Sequence, residues 1–258
     1  MEEKSKIAIL IASRMKSTRL PGKALMKIED QTLIEHVIDR MKCVKSADCV
    51  VLCTSTNPED GVLLEVAEKK GILSFAGSEE DVMKRFLDAA SEVEADIIVR
   101  VTGDNPLTSP YFITNAIEHH IKSDADYTST VELPQGTKGE VISVAALRKA
   151  YDLAEDTNYS EYMTWYFTEN PTFFKIEKGP VDEDMKRSQY RLTVDTEKDL
   201  ELMRTLYKEL YVPGEIIPLK DAIKFLDEHP DLAKMNASVK KKDLQAMKDK
   251  VNVKLRSL

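Results

Sequence analysis

Unbroken apolar runs alternate along this chain with segments whose apolar residues recur every three to four positions. Residues 7–12 are apolar throughout, the pattern of a strand buried on both faces. Segment 32–42 places Leu33, Ile34, Val37, Ile38 and Met41 at helical spacing. The same reading predicts strands over 49–54, 72–75 and 96–101, and helices over 60–70, ended by Gly71, and over 81–92. Beyond Pro110 it predicts helices over 111–121 and 145–153, an aromatic-rich helical segment over 159–168, and an amphipathic helix over 199–211. Further strands are expected over 140–144, 173–177 and 191–194.

Strands and helices in this order predict an α/β fold, a mostly parallel sheet with helices on both faces. Ligands of such sheets sit beyond the carboxyl ends of the strands, which directs attention to the loops after Ala12, Thr54 and Val101. Val212-Pro213-Gly214 interrupts the pattern, and a helix over 219–228 is followed by Pro230 and a lysine-rich remainder. Residues 1–212 therefore read as the main domain and 213–258 as a helical C-terminal appendage, without internal repeats.

Charge narrows the partners. With 37 basic and 45 acidic side chains the net charge is -8, which repels a polyanion over most of the surface and argues against nucleic-acid binding. No window approaches the roughly 18 apolar residues of a membrane span. The apolar run at 7–12 is too short for a secretory signal, so a cytoplasmic protein is expected. Cys43, Cys49 and Cys53 lack the partners of a disulfide framework or a zinc site and read as free thiols. His36, His119, His120 and His229 show no ligand spacing.

A small anion needs only local cations, and the loop after the first strand supplies them. Residues 12–25 hold Arg14, Lys16, Arg19 and Lys23 together with Ser13, Ser17, Thr18 and Gly22. Backbone amides and hydroxyls donate to phosphate oxygens, arginine binds them bidentately, and lysine adds a compact charge. The spacing is neither that of a Walker loop nor that of a dinucleotide fingerprint. Asp104 should emerge at the same sheet edge, after the strand at 96–101, within a Gly-Asp-Asn-Pro turn. Asp195, after the strand expected at 191–194, is either a helix N-cap or a second carboxylate at that edge.

The run Ser13-Arg14-Met15-Lys16-Ser17-Thr18-Arg19-Leu20-Pro21-Gly22-Lys23 resembles the ARxxSTRLPGK motif of the cytidylyltransferases that activate acidic sugars. Those include the 3-deoxy-manno-octulosonate cytidylyltransferases and the spore-coat polysaccharide biosynthesis relatives. The resemblance continues through Gly77-Ser78-Glu79-Glu80-Asp81-Val82, Thr102-Gly103-Asp104-Asn105-Pro106-Leu107 and the segment from Leu192 to Leu200, with Val194-Asp195-Thr196 matching the late VDT motif. It reaches the tail around His229-Pro230 and Asn236-Ala237. Ser13, Lys16, Ala76 and Tyr162 depart from residues common in the family, where Gln, Gly, Arg and His stand.

The resemblance implies a glycosyltransferase-A-like (Rossmann-like) fold, CTP as donor, Mg²⁺ as cofactor, a homodimer, and transfer of CMP to a small acidic acceptor with release of pyrophosphate. It assigns the triphosphate to Arg14, Arg19 and Lys23, with Ala12, Ser13, Ser17 and Thr18 shaping the loop. Ser78 and Thr102 would face the nucleobase, Glu140 and Glu161 the acceptor, and Asp104 and Asp195 would hold the metal. Two rivals stand beside this reading. A glycosyltransferase using a nucleotide-sugar would call for an Asp-x-Asp motif where Gly103-Asp104-Asn105-Pro106 stands, and a nucleotide-binding module without turnover would release no pyrophosphate.

Overall fold

The computed structural model describes residues 4–157, 160–239 and 252–256. In chain order the strands and helices are β1 (Ile7–Ala12), β2 (Lys27–Ile28), β3 (Gln31–Thr32), α1 (Leu33–Lys42), β4 (Cys49–Ser55), α2 (Gly61–Lys69), β5 (Leu73–Gly77), α3 (Val82–Glu92) and β6 (Ile97–Thr102). They continue with α4 (Pro110–Ser123), β7 (Tyr127–Ser129), β8 (Glu140–Ser143), α5 (Val144–Leu153), α6 (Met163–Thr168), β9 (Ile176–Lys178), α7 (Glu197–Leu210), α8 (Leu219–Glu228) and α9 (Pro230–Ala233).

One seven-stranded sheet has the order β5-β4-β1-β6-β8-β7-β9, and β2 and β3 form a separate two-stranded pair. β1 lies between β4 and β6, parallel to both, which is why its run of apolar residues is buried on two faces. β8 runs antiparallel to both of its neighbours, so the sheet is mixed.

Alternate residues of the central strands feed two cores. Ala8, Leu10, Ile98 and Ile142 pack with α3, α5 and α6, whereas Ile9, Ile11, Val99 and Val101 pack with α1, α2 and α4. Each fully buried Ile or Leu contributes about 1.5–3 kcal/mol. A third core joins α7 and α8 to Leu20, Leu107, Leu192 and Val194, so it lies beneath the edge at which β1 and β6 end. Leu219, Ala222, Ile223 and Leu226 of α8 belong to that third core. Leu255 returns to the first core and bridges Ala154. Among the described residues no helix is long and apolar enough to cross a membrane.

Most predicted boundaries move by one or two residues, and four segments differ in kind. β7 has three residues, too few for a periodic pattern, and is a strand only because β8 and β9 flank it. The strand expected at 191–194 is instead a single bridge from Arg191 to Gln135, because its backbone bonds go to two separate loops. The strand expected at 173–177 starts at Ile176, since Phe173 and Phe174 turn into the first core. Over 159–168 a short 3-10 turn, Ser160–Tyr162, precedes α6; Tyr166 and Phe167 are core, whereas Trp165 stacks on Tyr162. Asn158, Tyr159 and the lysines at 240–242 and 248–250 lie outside the described residues.

Candidate active site

The basic loop is shaped by bonds to its own backbone and to the sheet edge. Ser13 N donates to Cys53 O of β4 at 3.1 Å, and Met15 N donates to the carboxylate of Asp60 at 2.6 Å. Asp60 is buried and also receives the Ser55 hydroxyl, so a hidden carboxylate, not a surface one, holds the loop's first turn. Gly22 N closes the loop on Met15 O at 3.1 Å, with φ at +70°, a conformation in which a Cβ is strained. Leu20 reaches into the third core, and its amide donates to the Ser17 hydroxyl at 3.4 Å. These ties deliver Lys23 to the edge.

Asp104 arrives from the end of β6. Gly103 N donates to Ala12 O at 2.8 Å, and a Cβ on Gly103 would stand 2.8 Å from both Ser13 Cβ and Ile34 Cδ1. Only glycine lets β6 turn that close to β1. Asp104 O then accepts Val194 N at 2.9 Å, which splices the two carboxylate-bearing segments together.

Three acceptors surround the Lys23 ammonium: Asp104 Oδ2 at 2.6 Å, Asp195 Oδ1 at 2.9 Å and Val194 O at 2.8 Å. That uses all three of its donors. The other oxygen of Asp195 meets Arg19 Nη2 at 2.9 Å and Arg191 Nη2 at 2.8 Å. Burial by itself would lower the Lys23 pKa, but the charges of Asp104 and Asp195 outweigh it and raise the value. Burial likewise works against the Asp195 carboxylate, and Lys23, Arg19 and Arg191 overcome it, so the carboxyl stays below its usual range and ionised.

Asp195 is not an N-cap. Thr196 caps α7, its hydroxyl accepting Asp199 N while the Asp199 side chain accepts Thr196 N. Asp195 is thereby left one residue outside the helix and aimed at Lys23.

The remaining sequence-predicted residues lie around this cluster. Ala12 and Thr102 face each other in register at the ends of β1 and β6, and the Thr102 hydroxyl accepts Asn105 Nδ2 at 2.6 Å. Thr18 is exposed, and Ser78 is exposed with its hydroxyl accepting Asp81 N at 3.0 Å, leading into α3. Arg14 does not join the Lys23 cluster and pairs with Glu161 at 3.6 Å. Glu140 takes Arg100 Nη1 at 2.6 Å and the Tyr127 hydroxyl at 2.8 Å. Burial and the nearby Glu140 push the Tyr127 pKa up, so that hydroxyl remains a donor.

Among the described residues no group of three or more His, Cys, Asp or Glu side chains converges as a metal site. Two carboxylates do converge, Asp104 and Asp195, and the Lys23 nitrogen sits at their shared point. A pair of carboxylates suits Mg²⁺, which keeps waters and takes the rest of its shell from nucleotide phosphates. Sequence reasoning missed Arg191, Asp199 and Asp60. The first two carry a faint signal, Arg-x-x-x-Asp-x-x-x-Asp, which has meaning only once the chain folds back between them; Asp60 carries none.

The sequence pattern of the cytidylyltransferases matches residues 8–222. A spore coat polysaccharide biosynthesis protein of Bacillus subtilis, SpsF, is 32% identical over 88% of this chain and 96% of its own length. The 3-deoxy-manno-octulosonate cytidylyltransferase of Geobacter sulfurreducens is 28% identical over 67% of this chain and 65% of its own. The solved cytidylyltransferase of Leptospira borgpetersenii superposes with a TM-score of 0.83 at 29% identity, covering 89% of this chain and 97% of that one. The matched stretch takes in the basic loop, the Gly-Asp turn and Asp195, and the chain belongs to the cytidylyltransferase family.

Proposed function

We propose that this nucleotidyltransferase moves CMP from CTP to the oxygen of a small acidic sugar, releases pyrophosphate, and requires Mg²⁺. The observation that carries the reading is the cluster in which Lys23 and Arg19 are held by the carboxylates of Asp104 and Asp195 at the carboxyl edge of β1 and β6. Cations held by carboxylates rather than locked into a core are free to change partners when a stronger anion arrives. The names of the octulosonate and spore-coat relatives support the acidic sugar and a place in surface polysaccharide synthesis.

Lys23 and Arg19 exchange their carboxylate partners for triphosphate oxygens as the nucleotide enters, and Arg14 adds a third cation from the loop. Asp104 and Asp195 would hold Mg²⁺, and the ion when bound would supply neutralising charge to the phosphates. The acceptor oxygen attacks the α-phosphorus in line, so no side chain has to form a covalent bond. Rate comes from positioning and from cations already arranged around the developing charge. Arg100 and Glu140 sit two residues deeper than Thr102, on the same sheet face, where Glu140 and the nearby Glu161 border the acceptor. Ala12, Ser13, Ser17 and Thr18 line the phosphate loop, with Ser78 and Thr102 toward the base.

The test is pyrophosphate release with Mg²⁺, each of the four nucleoside triphosphates and a panel of acidic sugars, sugar phosphates and phosphonates. Release is expected with CTP and an acidic sugar, and D104N or D195N should lower turnover about a hundredfold or more while the protein stays folded. Binding of CTP without release across the panel, or full activity in both variants, would overturn the reading.

A further inference from the structure

Asn236 stands beyond α9 and beyond the family-matched residues, yet it is only 1% exposed. Both donors of its amide are used on one pair of groups: Arg191 O at 2.9 Å and Asp199 Oδ1 at 2.9 Å. Asp199, also 1% exposed, takes Arg191 Nε at 2.9 Å and Arg191 Nη2 at 3.2 Å, and its second oxygen takes the amides of Asp195 and Thr196 at 3.1 and 3.0 Å. The guanidinium is thereby pinned against Asp199, and its Nη2 reaches Asp195 Oδ2 at 2.8 Å. The opposite oxygen, Oδ1, is the one directed at Lys23 and toward Asp104.

We propose that Asn236 is a positioning residue for Asp195. It fixes the Arg191–Asp199 pair in the one orientation that turns Asp195 Oδ1 to the cation point, and it brings the C-terminal segment into the site without touching substrate. The proposal rests on Asp195 being a metal ligand. Both of its contacts fall on the pair of residues that flank Asp195, Arg191 before it and Asp199 at the start of α7. Arg191 and Asp199 are the side chains one contact removed from Asp195, a place where loss weakens metal binding about 10–100-fold, and Asn236 holds that pair from one contact further out.

The experiment measures binding of CTP to the full chain with Mn²⁺ as the paramagnetic probe, and again in EDTA, with no acceptor present. N236A and N236D are compared with the wild type, with D195N, and with K234A, an exposed neighbour. Both Asn236 variants are expected to weaken Mn²⁺–CTP about fivefold or more, less than the loss at a residue that touches the ligand itself. They should leave metal-free CTP within about twofold, and N236A should add nothing further in the D195N background. Thermal unfolding monitors the fold, and should N236A unfold, N236S, which keeps one donor, carries the test. Wild-type Mn²⁺–CTP binding in both Asn236 variants, or equal loss with and without metal, overturns the proposal provided D195N itself is weakened. Undiminished Mn²⁺–CTP binding in D195N instead overturns the metal reading of Asp195 on which it stands.

Discussion

Lys23 lies between two carboxylates, at the point where the proposed Mg²⁺ would bind. Its side chain, 13% exposed, joins two carboxylates that would otherwise face each other at the same edge. K23A should therefore cost about 2–3 kcal/mol at neutral pH, because it leaves paired charge without its partner. Added Mg²⁺ should raise the melting temperature of K23A more than that of the wild type, a comparison that a thermal shift series settles. Asp104 was legible in the sequence because a charged residue just after a buried strand has one place to go, the sheet edge, and Lys23 because it belongs to the basic loop that follows β1. Arg191 was not legible: its value lies in which carboxylates it meets, and a charge four and eight residues before two aspartates does not by itself say that one side chain reaches both.

The helices announce themselves through their ends. Thr32 and Glu35 form a capping box at the start of α1, and Glu35 also meets Lys69 of α2 at 3.1 Å. Burial disfavours the Glu35 carboxylate, but its bonds from Thr32 and Lys69 overcome this and hold the pKa down to about 2. T32A should lower stability by about 1 kcal/mol in urea unfolding. Strands were legible where both faces are buried, as in β1, and illegible where a neighbour makes them. β7 is the example, since three residues gain a ladder only between β8 and β9. The junction from β6 to Asp104 depends on Gly103, and G103A should both destabilise by about 1–3 kcal/mol and slow turnover, because Ser13 must shift to admit the Cβ.

Three cores share the load of the whole molecule, and one buried histidine reports on their integrity. His120 on α4 is 2% exposed and bonded to the Thr128 hydroxyl of β7 at 2.9 Å; burial lowers its pKa to about 4. A histidine with a depressed folded pKa favours the fold in its neutral form, so its contribution is full above about pH 6.5 and is lost as pH falls toward 4. The urea midpoint should therefore drop from pH 7 to pH 4, and H120N should flatten that slope. The sequence by itself determined the order of the longer elements, the two-faced burial of the central strands, the basic loop and the carboxylate that follows β6, because each is a local pattern with a single stable outcome. Only the tertiary structure decided that Lys23 bridges Asp104 and Asp195, and that Asn236 reaches the Arg191–Asp199 pair. Those outcomes join residues far apart in the chain, and their free energy exists only after the cores have brought the segments within hydrogen-bond distance.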